Sequence, residues 1–157
     1  MQLWIFSSKT TDNIERGFKA RKWAVSDLDE RTMDERYNRS RKMTIGSYGL
    51  LYCSEDQNFT LPFITQSKPE LKTIGDIWSE PWALPFEIQP MGSPERRVHL
   101  EVAKHSWEML RDATNTACRL RGINGRTIFL PNEIVDEDWR RIIKDLGFRE
   151  QITHDEN

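Results

Sequence analysis

The chain has two cysteines, Cys53 and Cys118, in 157 residues. Two are too few for a disulfide framework and their spacing makes no metal motif, so both are expected as buried or half-buried thiols of a reducing cytoplasm. The longest apolar stretches are a handful of residues, which excludes a membrane-spanning helix. The opening Met-Gln-Leu-Trp-Ile-Phe lacks the basic region and long apolar run of a secretory signal, and a cytoplasmic protein is expected. Glycine patterns of phosphate loops and of dinucleotide sites are absent. The three histidines, His99, His105 and His154, do not stand at metal-ligand spacings, and no metal is expected. Catalytic triads assemble in space rather than in sequence, but no base, nucleophile or metal set stands out here. The chain is therefore expected not to be an enzyme and to need no cofactor. Repeats, low-complexity tracts and linkers are missing too, and residues 1–157 are read as one domain with its own core.

What is present is a soluble globular composition, 37% hydrophobic and 31% charged. The net charge of −2 argues against a protein that coats nucleic acid without selectivity. Local basic runs remain, at Lys19, Arg21 and Lys22, at Arg36, Arg39, Arg41 and Lys42, and at Arg96-Arg97. Such runs are ordinarily solvated faces, yet they permit short, site-limited phosphate contact.

Periodicity predicts strands over residues 3–6, 23–25, 48–53, 59–65, 86–89 and 98–102. Pro62 suggests that its strand is an edge or carries a bulge. Asp12 or Thr11 is expected to cap a helix running to about residue 22, with Ile14 and Phe18 inward. A weak helix around Met33 and Tyr37, an amphipathic helix over 107–120 ended by Gly122 and Gly125, and a last helix over 134–146 closed by Gly147 complete the set. The fold class is α+β, a curved or barrel-like sheet with flanking helices. Trp4 is expected in the core of the first strand, and Trp107 and Trp139 on the inner faces of helices.

The other three of the six tryptophans lie in short polar segments. Trp23 follows Asp12-Asn13-Ile14 by about ten residues, and Trp78 and Trp82 flank Ser79-Glu80-Pro81. Flat indoles in such places suit an aromatic cage for a planar ligand, although large aromatics more often build cores and Asn13 alone is an ordinary helix-cap type.

The order of these parts resembles the YTH domain family and its prokaryotic relatives, the EVE domains, within the PUA-like superfamily. The matching elements are the Ser7-Ser8 turn after the first strand, Asp12-Asn13-Ile14, Trp23, the strand at 50–54, the hairpin aromatic at Asn58-Phe59, the Trp78-Ser79-x-x-Trp82 element and the stretch at 94–100 with Arg96-Arg97. They cover residues 1–105. The resemblance implies a reader of a methylated base, N6-methyladenine in single-stranded RNA in YTH proteins and modified bases in DNA for EVE relatives. Carried over, Trp23, Trp78 and Trp82 would be cage walls. Asn13, Ser8, Lys9 and Ala24 would line the base, and Arg97, with Arg96, Lys22 and Arg41, would hold phosphate. The implied partner is nucleic acid with a methylated base, RNA favoured and DNA possible, read by a monomer away from membranes.

Stacking contributes roughly 1–3 kcal/mol per base, comparable to the few kcal/mol needed to extrude one from a duplex. One buried methyl adds only about 0.8 kcal/mol by area, so selectivity needs a fitted pocket. Two rival classes are an aromatic cage for methyl-lysine peptides, disfavoured by the nearby basic residues, and an enzyme acting on a nucleobase. A recognition domain of a modification-dependent restriction system, reading another methylated DNA base, is the nearer alternative.

Overall fold

The computed structural model describes residues 1–111, 120–123 and 127–149. Apolar residues on both phases of the first strand decide the architecture, because such a strand must be covered on both faces. In β1 (Gln2–Ser8), Trp4 and Phe6 enter one core cluster and Leu3 and Ile5 the other. The same division runs along β3 (Tyr48–Cys53), where Leu51 and Cys53 face the first cluster and Leu50 and Tyr52 the second.

The chain order is β1, α1 (Thr11–Ala20), β2 (Lys22–Ser26), α2 (Glu30–Ser40), β3, β4 (Asn58–Thr65), β5 (Thr73–Ile74) and β6 (Trp82–Pro90). Then follow β7 (Arg97–His99), α3 (Leu100–Ser106), α4 (Glu108–Arg111), β8 (Asn132–Glu133) and α5 (Asp136–Leu146). The sheet runs β2-β6-β4-β3-β1-β8 as an open path, with β5 added to β6 and β7 to β4. Among the described residues only β1 and β3 pair in parallel, and the crossover between them carries α1, β2 and α2. The α+β class and the flanking helices are as expected from sequence.

Among the described residues, two register shifts shape the sheet. The register between β3 and β4 shifts between Gly49 and Leu51, opposite Leu61 and Pro62, and Leu61 takes a left-handed φ of 52°. Pro62 therefore marks a bulge in an interior strand, not an edge. A second shift, between Trp23 and Val25, pairs β2 with a β6 whose Leu84 is also left-handed, at φ 54°. Ala24 falls in the skipped register.

Other expectations are corrected by hydrogen bonding. Thr10, not Asp12 or Thr11, caps α1, its side chain accepting from the Asn13 amide at 3.4 Å. The alternating stretch at 98–102 is a strand only to His99. There Nδ1 of His99 accepts from the Glu101 amide at 3.1 Å and turns the chain into α3, burying Leu100 and Ala103 and exposing Val102. α5 begins at Asp136 rather than 134, and β5 and β8, two residues each, are too short to leave a periodic trace. The expected helix over 107–120 is seen only as α4, after a non-helical Trp107; its continuation over 112–119, with Cys118, and Gly125 and His154 lie outside the described residues. Trp4 and Trp107 are buried in the two clusters, and Trp139 packs on Tyr48 with ring centroids 4.5 Å apart. Among the described residues no helix is long and apolar enough to cross a membrane.

Candidate modified-base site

The site forms where β1 gives way to α1. The hydroxyl of Ser8 donates to the Thr10 carbonyl at 2.9 Å and accepts from the Thr10 amide at 3.3 Å, so it is committed to the turn. That turn sets Lys9 and Asn13 at one end of α1, and the Lys9 carbonyl is fixed in turn by the Glu55 amide. α1 ends at Arg21, and β2 returns along it carrying Trp23 and Ala24. Gly17 makes that return possible. A Cβ built there would come 2.8 Å from Cε3 of Trp23, so the indole occupies space that any side chain on this turn would claim.

Trp78 and Trp82 approach from the other side. Residues 75–81 form no helix or strand, and two hydrogen bonds tie them to α1. Nε1 of Trp78 donates to the Asn13 carbonyl at 3.0 Å, and Nη1 of Arg16 donates to the Ile77 carbonyl at 3.2 Å. The two indoles are stacked, with centroids 4.4 Å apart and planes 14° from parallel. Trp23 meets both edge-on, at 5.8 and 5.4 Å. A ring between Trp78 and Trp82 would need two aromatic contacts of roughly 3.5–4.0 Å each, so this gap is closed to a ligand. All three tryptophans belong to the first core cluster.

An open space lies beside the trio instead. A cavity of about 210 Å³ is lined by Ser7, Ser8, Lys9, Asn13, Ala24, Val25, Ser26, Arg36, Glu80, Trp82 and Ile128. Five of the residues named from the sequence meet here: Ser8, Lys9, Asn13, Ala24 and Trp82. Trp23 and Trp78 do not line it; they back Trp82 from behind. The volume falls below the roughly 300–1,000 Å³ of drug-sized sites and suits one small planar group. The Trp82 indole is 8% exposed, and its buried Nε1 finds no acceptor among the described residues. Buried donors are normally paired, which singles out this indole among the described residues.

The basic residues assigned to phosphate from sequence lie outside this cavity. Arg97 donates through Nε to the Pro94 carbonyl at 2.8 Å and meets Asp56 at 3.4 Å, beside the hairpin that contacts Lys9. Arg96 donates to the Gly147 carbonyl. Arg41 bonds the Tyr37 hydroxyl at 3.1 Å and sits over that ring, and Lys22 pairs with Glu87 across the β2–β6 ladder and lines a separate small hollow.

Sequence reasoning missed Arg36 as a site residue. It is 5% exposed and donates to the Ser26 carbonyl at 3.2 Å. Burial, and then the neighbouring Arg39, push its pKa below the ordinary guanidinium value against the attraction of Asp29. It still carries charge, since guanidinium does not deprotonate in proteins. α2 presents Arg36 because Asp29 caps that helix, accepting from the Thr32 amide and hydroxyl at 3.1 and 2.8 Å, bonds that hold its carboxyl below the usual range. The signal was a helical stripe of Met33, Arg36, Tyr37 and Ser40 in which a charged residue shares the inner face. Ile128 left no such signal. Burial pushes the Cys53 thiol up, which keeps it protonated and a poor nucleophile. Among the described residues no group of three or more His, Cys, Asp or Glu is placed to hold a metal.

No protein-family model matches the chain, and no curated protein matches it in sequence. Solved structures do match. The YTH domain of Zygosaccharomyces rouxii MRB1, in complex with N6-methyladenosine RNA, is similar over 95% of this chain and 88% of its own, with a TM-score of 0.60 and 15% identity. The chain has the YTH fold. The Pho92 YTH domain in complex with m6A gives 0.58 at 14% identity, covering 95% of this chain and 85% of that one. The Mmi1 YTH domain gives 0.53 at 11%, covering 92% and 93%. At these identities a YTH fold is established while side-chain roles rest on the geometry above.

Proposed function

We propose that this YTH-fold chain reads N6-methyladenine in single-stranded RNA, without catalysing a reaction. The observation that carries the proposal is the convergence of Ser8, Lys9, Asn13, Ala24 and Trp82 on one base-sized cavity. The fold is shared with MRB1 and Pho92 domains described with N6-methyladenosine RNA and m6A. The base would lie in the cavity against the Trp82 face that Trp78 does not cover. Asn13 has an amide that both donates and accepts, which suits the ring-nitrogen edge. Trp23 and Trp78 act as the rigid backing that holds Trp82 in place, a role within the cage different from direct contact. A single-stranded ligand presents the base without the cost of extrusion, which favours RNA over duplex DNA.

The test is fluorescence-polarisation binding at fixed, stated salt. RNA and DNA oligomers matched in sequence would differ only in one N6-methyladenine. A tenfold or greater preference for the methylated RNA is expected. A preference confined to DNA would transfer the site to the modified-DNA reading of EVE-type domains, and equal weak binding to every strand would remove the reader altogether.

Arg97 sits outside the cavity, so its contribution is to the backbone. Arg97→Ala is expected to weaken methylated and unmethylated RNA by the same factor and to reduce the slope of log affinity against log salt by about 0.7, the share of one phosphate on a single strand. A changed methyl preference in this variant would place Arg97 at the base instead.

A further inference from the structure

At the end of β1 away from the base cavity, the sheet closes in a corner that reading a base does not use. β8 is the outer strand there, held by its pairing with β1 and by two hydrogen bonds between Met1 and Ile134, each 2.9 Å. β1 has seven residues, so this corner lies about 20 Å from Ser8. Two hollows border residues 133–136. The first, of about 210 Å³, is lined by Met109, Ile134 and Val135 together with Glu108, Glu133 and Asp138. In the second, of about 290 Å³, half-buried Tyr48 and Trp139 pack with ring centroids 4.5 Å apart.

Charge separates the two hollows. Asp138 is satisfied, accepting from the Glu108 and Met109 amides at 2.7 and 2.8 Å and pairing with Arg141 at 3.2 Å. Glu108 meets no cation among the described residues, and exposed Glu133 meets the Met1 amine at 3.9 Å, the outer limit of an ion pair. No described basic residue lines this first hollow, while Val135, 42% exposed, carries its apolar surface out to solvent. That combination fits a lysine or arginine side chain, with methylenes on Met109 and Val135 and the cationic head at Glu108 and Glu133. In the second hollow Asp136 and Arg140 carry opposite charges, so it contributes aromatic surface rather than net charge and suits an aliphatic side chain. The carboxylates repel phosphate, which keeps RNA from this corner.

We propose that this corner docks a partner protein through an exposed segment in which basic and aliphatic residues stand together. The basic side chain enters the hollow edged by Glu108 and Glu133, and the aliphatic one packs on Tyr48 and Trp139. Docking here is independent of the base cavity, so one molecule can hold RNA and the partner at once.

The experiment is fluorescence-polarisation binding of the full chain to a labelled peptide, Gly-Ser-Arg-Leu-Arg-Leu-Ser-Gly, at fixed, stated salt. Two control peptides carry glutamate for arginine or serine for leucine. The parent peptide is expected to bind at least tenfold more tightly than either control. Glu108→Gln and Glu133→Gln should each weaken it about threefold or more, and Val135→Ser about twofold or more. Asp34→Arg, on the exposed acidic face of α2, should leave it unchanged, as should saturating methylated RNA. Failure of the peptide to bind, equal binding of the controls, or an affinity unchanged in both glutamine variants overturns the inference. Loss of binding in Asp34→Arg, or displacement by RNA, overturns it too, by moving the peptide to α2 or to the base cavity.

Discussion

Trp23→Ala is expected to lower the free energy of unfolding by about 3–5 kcal/mol, the range for truncating a large buried aromatic. Trp23 is 1% exposed, with its edge contacts to Trp78 and Trp82 and its close fit over Gly17. Little nearby can collapse into the void: α1 is fixed by the Thr10 cap, and the 75–81 segment by its bonds to Asn13 and Arg16. Against a typical stability of about 5–15 kcal/mol this is a large fraction, and modified-base binding would be lost with it. Urea denaturation checks it, through a lower midpoint at unchanged slope. A loss below about 1 kcal/mol combined with abolished binding would contradict the packing argument and make Trp23 a wall that touches ligand.

Trp82→Ala has its largest effect on binding. Removing one stacking face worth roughly 1–3 kcal/mol lowers affinity for methylated RNA about five- to 150-fold. The methyl preference should fall to near one, because the pocket loses the surface against which the methyl is fitted. Trp82→Phe separates this from folding. It keeps an aromatic wall and deletes the unpaired Nε1, so its melting temperature should equal or exceed that of the parent chain. Methyl preference retained in Trp82→Ala would contradict the assignment of this wall.

How much of this was legible beforehand follows from range. The strands of the core were readable because Leu3, Trp4, Ile5 and Phe6 fill two faces, and the β3–β4 hairpin because a polar turn separates two apolar runs. Ser8, Lys9, Asn13, Ala24 and Trp82 could be named because the order of short motifs carries them. Arg36 could not. The stripe it shares with Met33, Tyr37 and Ser40 marks it as inward-facing, but what it faces depends on how α2 docks against β2, a tertiary fact. The stacking of Trp78 on Trp82 was equally hidden: a four-residue spacing in an irregular segment leaves indole orientation to the backbone, and there Asn13 and Arg16 decide it. His99 shows the opposite limit, since alternation extended the strand past a residue whose ring caps a helix.

The most direct measurement of the central claim is a titration of the indole N–H signals by nuclear magnetic resonance, using a short RNA with one N6-methyladenine. The chain has six tryptophans and therefore six such signals, assigned by single substitutions. The Trp82 signal should shift most, as the base stacks on its indole, with Trp23 and Trp78 following and Trp107 and Trp139 unmoved. Shifts centred on Trp107 or Trp139, or none at Trp82 under saturating methylated RNA, would contradict the account.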